Sequence, residues 1–268
     1  MAPDATGRQL QTRFQADGKQ ISLLIDDTDA VYPLQIDPLF TQTKKLTASD
    51  AAPDDRFGYS VATIGDTLVV GAYGKNWQPG MTPISKGAAY VFERNQGGAE
   101  NWGQVKILTP TDAAWNDRFG WSVGIDVDTV VVGALVKDSN KGAAYIFERN
   151  QGGAENWGQV KKLAASDAAA GDLLGSSVSI NADTVVVGAP GSVPSAAYIS
   201  TGAAYVFERN QGGPGNWGQV KKLTASDGPA NFASFGSSVS INRDTVVVGS
   251  YGRNPGTAYI FERNQGGA

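Results

Sequence analysis

Phe57-Gly-Tyr-Ser-Val-Ala-Thr-Ile64, Gly65-Asp66, Thr67-Leu-Val-Val-Gly-Ala72 and, after a loop, Gly87-Ala-Ala-Tyr-Val-Phe-Glu-Arg94, Asn95-Gln-Gly-Gly98 and Trp102-Gly-Gln-Val-Lys-Ile-Leu-Thr109 form one unit of a text written four times. The later copies open at Phe119-Gly120, Leu174-Gly175 and Phe235-Gly236. A period of about 60 residues marks stacked supersecondary units, none of which can bury its apolar faces alone.

Each unit reads as four strands, A to D. Gly-Asp turns and Asn-Gln-Gly-Gly segments punctuate them. Strand B is Thr-Val-Val-Val-Gly at 129–133, 184–188 and 245–249, apolar on both faces, so it needs cover on both sides. No stretch has helical periodicity of useful length. Four-stranded sheets packed face to face around an axis supply that cover, which is a β-propeller. Small residues in strand A (Ser60, Gly124, Ser179, Ser240) suit a crowded inner position. Strand D carries Lys44, Lys45, Lys106, Lys161, Lys162, Lys221 and Lys222, a guard against edge pairing. Its apolar spacing at Trp157, Val160 and Leu163 does not alternate, which predicts a bulge.

The expected fold is therefore all-β, a propeller of four antiparallel four-stranded blades spanning 39–268. Strand D follows A, B and C only three times; Thr41-Gln-Thr-Lys-Lys-Leu-Thr-Ala-Ser-Asp50 is the missing copy, predicted to complete the last blade and latch the ring. A fragment of a larger ring, or a half-ring that dimerises, is the alternative. Residues 1–38 lie outside the repeat: Leu10–Phe14 and Gln20–Ile25 predict a β-hairpin, and Val31–Ile36 a further short strand.

Composition narrows the chemistry. The 268 residues contain no cysteine and no histidine, which removes thiolate nucleophiles, Cys-zinc sites and the commonest general base. The net charge is −4 without a basic cluster, so nucleic acid is not an expected partner. Apolar runs of about four residues fall short of the ~20 that cross a bilayer.

The repeat resembles the FG-GAP repeat of integrin-α-type propellers in the short form of bacterial secreted or surface proteins. The residues that carry the likeness are Phe57-Gly58 with Gly71-Ala-Tyr73, Phe119-Gly120 with Gly133-Ala-Leu135, Leu174-Gly175 with Gly188-Ala-Pro190, and Phe235-Gly236 with Gly249-Ser-Tyr251. The resemblance implies an extracellular or cell-surface adhesion or recognition module. It also raises calcium, which related repeats hold between strands A and B. Here each A–B turn offers one carboxylate (Asp66, Asp128, Asp183, Asp244), too few for the 6–8 oxygens calcium takes. These aspartates read as turn residues bonding local amides, and no cofactor is expected. The D–A loops are more acidic, with Asp50, Asp54 and Asp55, then Asp112 and Asp117, then Asp167 and Asp172, and in the fourth only Asp227; calcium in these loops is the alternative.

In an antiparallel blade the B–C and D–A loops share one end. Here the B–C loops differ, running 74–86, 136–141, 191–201 and 252–255, whereas the opposite end is nearly uniform. Diversified loops on a rigid scaffold are where binding sits. Tyr73, Lys75, Trp77, Trp115, Asp117, Lys137, Asp138, Tyr198, Tyr251 and Arg253 are the candidate contacts. The recurring Trp102, Trp157 and Trp217 read as staples of the C–D turns. The expected function is non-catalytic recognition of a protein or cell-surface glycan by a monomer. A multivalent lectin using the recurring tryptophans and a self-assembling scaffold are the alternatives. Adjacent carboxylates such as Asp54 and Asp55 seldom aim together, and nothing in the sequence marks a pair with the defined separation that glycoside hydrolysis needs, so catalysis is not expected.

Overall fold

A computed structural model describes residues 2–17, 20–32, 42–76, 85–191, 201–227, 233–252 and 254–263. The chain divides into two compact units, Met1–Lys45 and Leu46–Ala268. In the first, β1 (Ala2–Pro3) pairs with β2 (Gln9–Leu10), and β3 (Thr12–Asp17) forms the expected hairpin with β4 (Gln20–Ile25). Most of the short strand predicted at 31–36 lies outside the described residues.

The second unit holds four antiparallel meanders. The first sheet is β5 (Ser60–Ile64), β6 (Thr67–Ala72), β7 (Ala88–Glu93) and β8 (Gly103–Leu108). The second is β9 (Phe119–Asp126), β10 (Thr129–Ala134), β11 (Ala143–Glu148) and β12 (Gly158–Leu163). The third is β13 (Ser177–Asn181), β14 (Thr184–Ala189), β15 (Ala203–Glu208) and β16 (Gly218–Leu223). The fourth has three strands, β17 (Phe235–Asn242), β18 (Thr245–Ser250) and β19 (Thr257–Glu262). The bulge predicted for strand D is present as a register shift at Val91/Phe92, Ile146/Phe147 and Val206/Phe207. One short helical turn, Lys137–Asn140, sits in the second B–C loop.

Each sheet packs on the next. Val69, Ala89, Val91 and Leu108 of the first meet Phe119, Val130, Val132, Tyr145 and Trp157 of the second. The same layers recur around Val131 and Ile146, and again around Val186 and Ala204. That is why β10 and β14 are buried at every position. The glycines of the two motifs make the joint. A Cβ on Gly71, Gly133 or Gly188 would lie 2.1, 2.1 or 2.0 Å from the carbonyl oxygen of Gly120, Gly175 or Gly236 in the following sheet. Ser60, Ser122 and Ser177 donate to those same oxygens at 3.0, 2.8 and 2.9 Å.

Among the described residues the predicted latch is not seen. Residue 41 lies outside the described residues, and 42–48 carry no strand. Among the described residues nothing pairs with the outer edge of β19. Leu46–Asp50 is held by the first sheet instead: Leu46 and Ala48 pack on Val70, Tyr90 and Phe92, the Ser49 amide donates to Gln104, and the Tyr90 hydroxyl donates to Asp50 at 2.8 Å. Among the described residues, the main packing between sheets joins first to second, second to third and third to fourth. The four antiparallel sheets read from the sequence are present in series, and closure of the four-bladed ring is not shown among the described residues.

Candidate ligand site

The joint between the first two sheets assembles an aromatic cluster. Gly58 and Gly120 each take φ near +90°, a conformation that suits glycine, and turn the chain sharply into strand A. The residues that follow are Tyr59 and Trp121. Because the Gly120 carbonyl is drawn against Gly71, Trp121 lands beside Tyr59 and beside Tyr73, which follows β6. The ring centroids are 4.5 Å apart for Tyr59 and Tyr73, 4.7 Å for Tyr59 and Trp121, and 4.9 Å for Tyr73 and Trp121. A cavity of about 350 Å³ opens here, lined by Tyr73, Trp121, Arg56, Arg118, Asp54 and Ser85. Burial, then Tyr73, pushes the Tyr59 hydroxyl pKa above its usual value against the pull of Arg118. The cluster is not repeated, because the third and fourth sheets carry Ser176 and Ser237 where Tyr59 and Trp121 stand, and Leu173 and Ser234 where Arg56 and Arg118 stand. All four of Arg56, Arg118, Leu173 and Ser234 have positive φ, so that strain belongs to the scaffold; the side chains belong to the site.

Of the residues nominated from sequence, Tyr73 lies in this cavity. Trp115 and Tyr251 are exposed, Trp115 with the Lys86 ammonium 4.9 Å from its ring centroid. Asp138 is exposed and paired with Lys162 at 2.8 Å. Trp77, Tyr198 and Arg253 lie outside the described residues. Lys75, Asp117 and Lys137 are buried and paired within the fold. Lys75 reaches Asp55 at 2.8 Å and Asp50 at 3.2 Å and donates to the Asp50 carbonyl. Lys137 reaches Asp117 at 2.9 Å and donates to the Asp112 carbonyl. Burial works against the Lys75 ammonium, yet hydrogen bonds and charge from Asp55 and Asp50 outweigh it and raise its pKa. In the first two D–A loops an ammonium thus sits among the acidic oxygens. Among the described residues no group of three or more His, Cys, Asp or Glu is placed to hold a metal ion.

The A–B turn aspartates also act differently from the sequence reading. Asp66, Asp128, Asp183 and Asp244 pair with Arg94, Arg149, Arg209 and Arg263 at 2.9, 2.8, 2.7 and 3.2 Å. Arg149 and Arg209 in turn cover Trp157 and Trp217, with the guanidinium 4.7 and 4.6 Å from the ring centroid. Both tryptophans are fully buried, and their indole N–H groups point at Glu93 and Glu148 of the preceding sheet. They are structural, as read, although they bind sheet to sheet more than turn to strand. Tyr59, Trp121, Arg56 and Arg118 were missed because their significance arises only across a joint. The sequence signal was available: the residue after each Phe/Leu-Gly pair is aromatic twice and serine twice.

No helix among the described residues is long and apolar enough to cross a membrane. A comparison with curated proteins finds no match. The FG-GAP repeat family matches four consecutive segments, 40–92, 102–147, 157–207 and 217–261. With four matches across most of its length, each containing strands A, B and C of one sheet, the chain belongs to the FG-GAP repeat family.

Proposed function

We propose that this protein is a non-catalytic recognition module of the β-propeller type. It engages a protein or glycan at a cell surface through the end that carries the B–C and D–A loops, and its working location is extracellular. The observation that carries this reading is the Tyr59–Tyr73–Trp121 cluster with its arginine-flanked cavity of about 350 Å³. Aromatic rings with arginine combine contact area and polar reach at low entropic cost, the usual composition of binding hot spots. The site has one copy, which favours a single ligand over a multivalent lectin. The buried faces of Trp157 and Trp217 argue the same way, since they offer no surface on which a sugar could stack. Asp54 is the one carboxylate among the described residues lining the cavity, so the site suits contact better than acid–base chemistry.

The third and fourth sheets supply a fold-compatible test. Tyr59→Ser with Trp121→Ser installs the residue those sheets already use at the same turn. In a screen against cell-surface glycans and proteins, the double variant should keep its melting temperature. It should lose binding at least ~10-fold, the scale of hot-spot truncation. Unchanged binding would sink this site; loss of binding by Trp115→Ala or Tyr251→Ala alone would move it along the same face.

A further inference from the structure

The first and fourth sheets expose the two halves of an interface that the chain already makes three times. On the far side of the fourth sheet, Val247 is 36% and Ile260 69% exposed, whereas Val131 and Ile146, their counterparts in the second sheet, are fully buried by the third. On the near side of the first sheet, Val61 is 69% exposed and its counterpart Val123 only 9%. Polar partners are split in the same way. Arg149 reaches back to Glu93 and Thr67, Arg209 to Glu148 and Thr129, and Arg263 to Glu208 and Thr184. Among the described residues Arg94 pairs with Asp66 and Glu100 of its own sheet's turns, and no arginine reaches Glu262 or Thr245. Between the third and fourth sheets a cavity of about 460 Å³, lined by Thr184, Glu208, Phe261 and Arg263, stands open at the level where Trp157 and Trp217 fill the earlier joints.

We propose that two copies of this chain associate head to tail, the fourth sheet of each packing against the first sheet of the other, to close one ring of eight sheets. The occupant is a second copy because each exposed half matches what the other presents, residue type by residue type, in an interface already realised three times. The number follows from geometry. Three joints of one kind relate the four sheets, and among the described residues they do not bring the first and fourth together, so a ring built on that joint takes more than four sheets, and two whole copies are the fewest that supply them. Eight sheets lie within the range of known propellers, and two identical junctions related by a twofold axis leave no sheet face uncovered. Arg94 of the second copy then meets Glu262 and Thr245, and Val61 covers the layer of Val247 and Ile260. Leu46–Asp50 is held on the first sheet, so in this ring the chain leading into it comes beside β19 of the other copy. Its sequence, Gln42-Thr-Lys-Lys-Leu46, differs from Gln219-Val-Lys-Lys-Leu223, which ends the third sheet, at one position.

The test is the mass of the full chain in solution, by light scattering or sedimentation equilibrium, at micromolar concentration. A species of twice the chain mass is expected. Ile260→Asp and Val61→Asp, both at exposed positions, should each weaken association by ~100-fold, the scale of a hot-spot loss. Mixing the two variants should restore a dimer, because one of its two junctions then has only wild-type residues. A chain that stays monomeric overturns the proposal, as do open polymers that grow with concentration, or dimers indifferent to both substitutions.

Discussion

The second and fourth sheets have almost the same sequence and opposite circumstances. Ala-Ala-Tyr-Ile-Phe-Glu at 143–148 is buried along nearly its whole length, whereas Thr-Ala-Tyr-Ile-Phe-Glu at 257–262 is mostly exposed. One residue in six differs, Ala143 against Thr257; the larger difference is in the neighbours. In a stacked architecture burial is a property of position in the series, so the energetic worth of a side chain is set by the sheet that follows it.

Substitutions at equivalent positions can break this contrast. The largest effect should come from the lysine cage. Lys137→Ala strands the buried Asp117 carboxylate and is expected to cost about 3–5 kcal/mol in urea unfolding. Lys222→Ala removes a half-exposed partner of Asp167 and should stay within the ~1 kcal/mol of surface pairs. Next, Ile146→Ala should cost about 2–4 kcal/mol, and Ile260→Ala, measured in dilute monomer, within about 0.5 kcal/mol. Equal costs would mean that the fourth sheet is covered in solution even at that dilution.

Gly188→Ala drives a methyl into the Gly236 carbonyl and should cost about 1–3 kcal/mol by overpacking. At Gly249 the close neighbour is the Ser238 hydroxyl, which can rotate away, so Gly249→Ala should be milder in the monomer. The smallest effect is that of pH. Lys222 foremost, with Tyr205 and against burial, holds Asp167 below the usual carboxylate range. Burial raises Asp50 and Asp112, but their lysine and tyrosine partners outweigh it and leave both lowered. A depressed folded pKa means stability that is complete above the unfolded value near 3.8, declines below it and is lost as pH falls through the lower folded value. Burial, then Asp167, pushes the Tyr205 hydroxyl up to about 12, and Tyr90 and Tyr145 are raised further by burial and by Asp50 and Asp112. A raised folded pKa works in the opposite direction: that contribution is intact below pH 10 and declines as pH rises above it. Chemical melts across pH should show both limbs, and Asp167→Asn should flatten the acid one.

The strands were legible because their determinants are local. Valine runs, Gly-Asp turns and Asn-Gln-Gly-Gly segments fix β5 to β19 almost residue by residue, and the misfit of Trp157, Val160 and Leu163 with alternation correctly signalled the bulge. What failed depends on distance through space. Lys75 and Lys137 stand in loops and read as solvated, yet loop folding carries each ammonium into a carboxylate cage. Tyr59 and Trp121 are some sixty residues apart and read as ordinary members of strand A until the joint superimposes them. Residues 42–48 have the composition of strand D, but pairing needs a partner edge within reach, and composition carries no information about reach.

The joint itself has a consequence for how such a chain can change length. Phe-Gly of one unit and Gly-Ala of the unit before it touch each other, so the signature that defines the repeat describes a junction between neighbours. A duplicated or deleted unit therefore carries one half of the junction at each end, and both halves find matching halves in whatever they now adjoin. Gene duplication can lengthen the series without any compensating substitution. Gln-Gly-Gly-Ala-Glu-Asn-Trp-Gly-Gln-Val-Lys, identical at 96–106 and 151–161, is the trace such an event leaves.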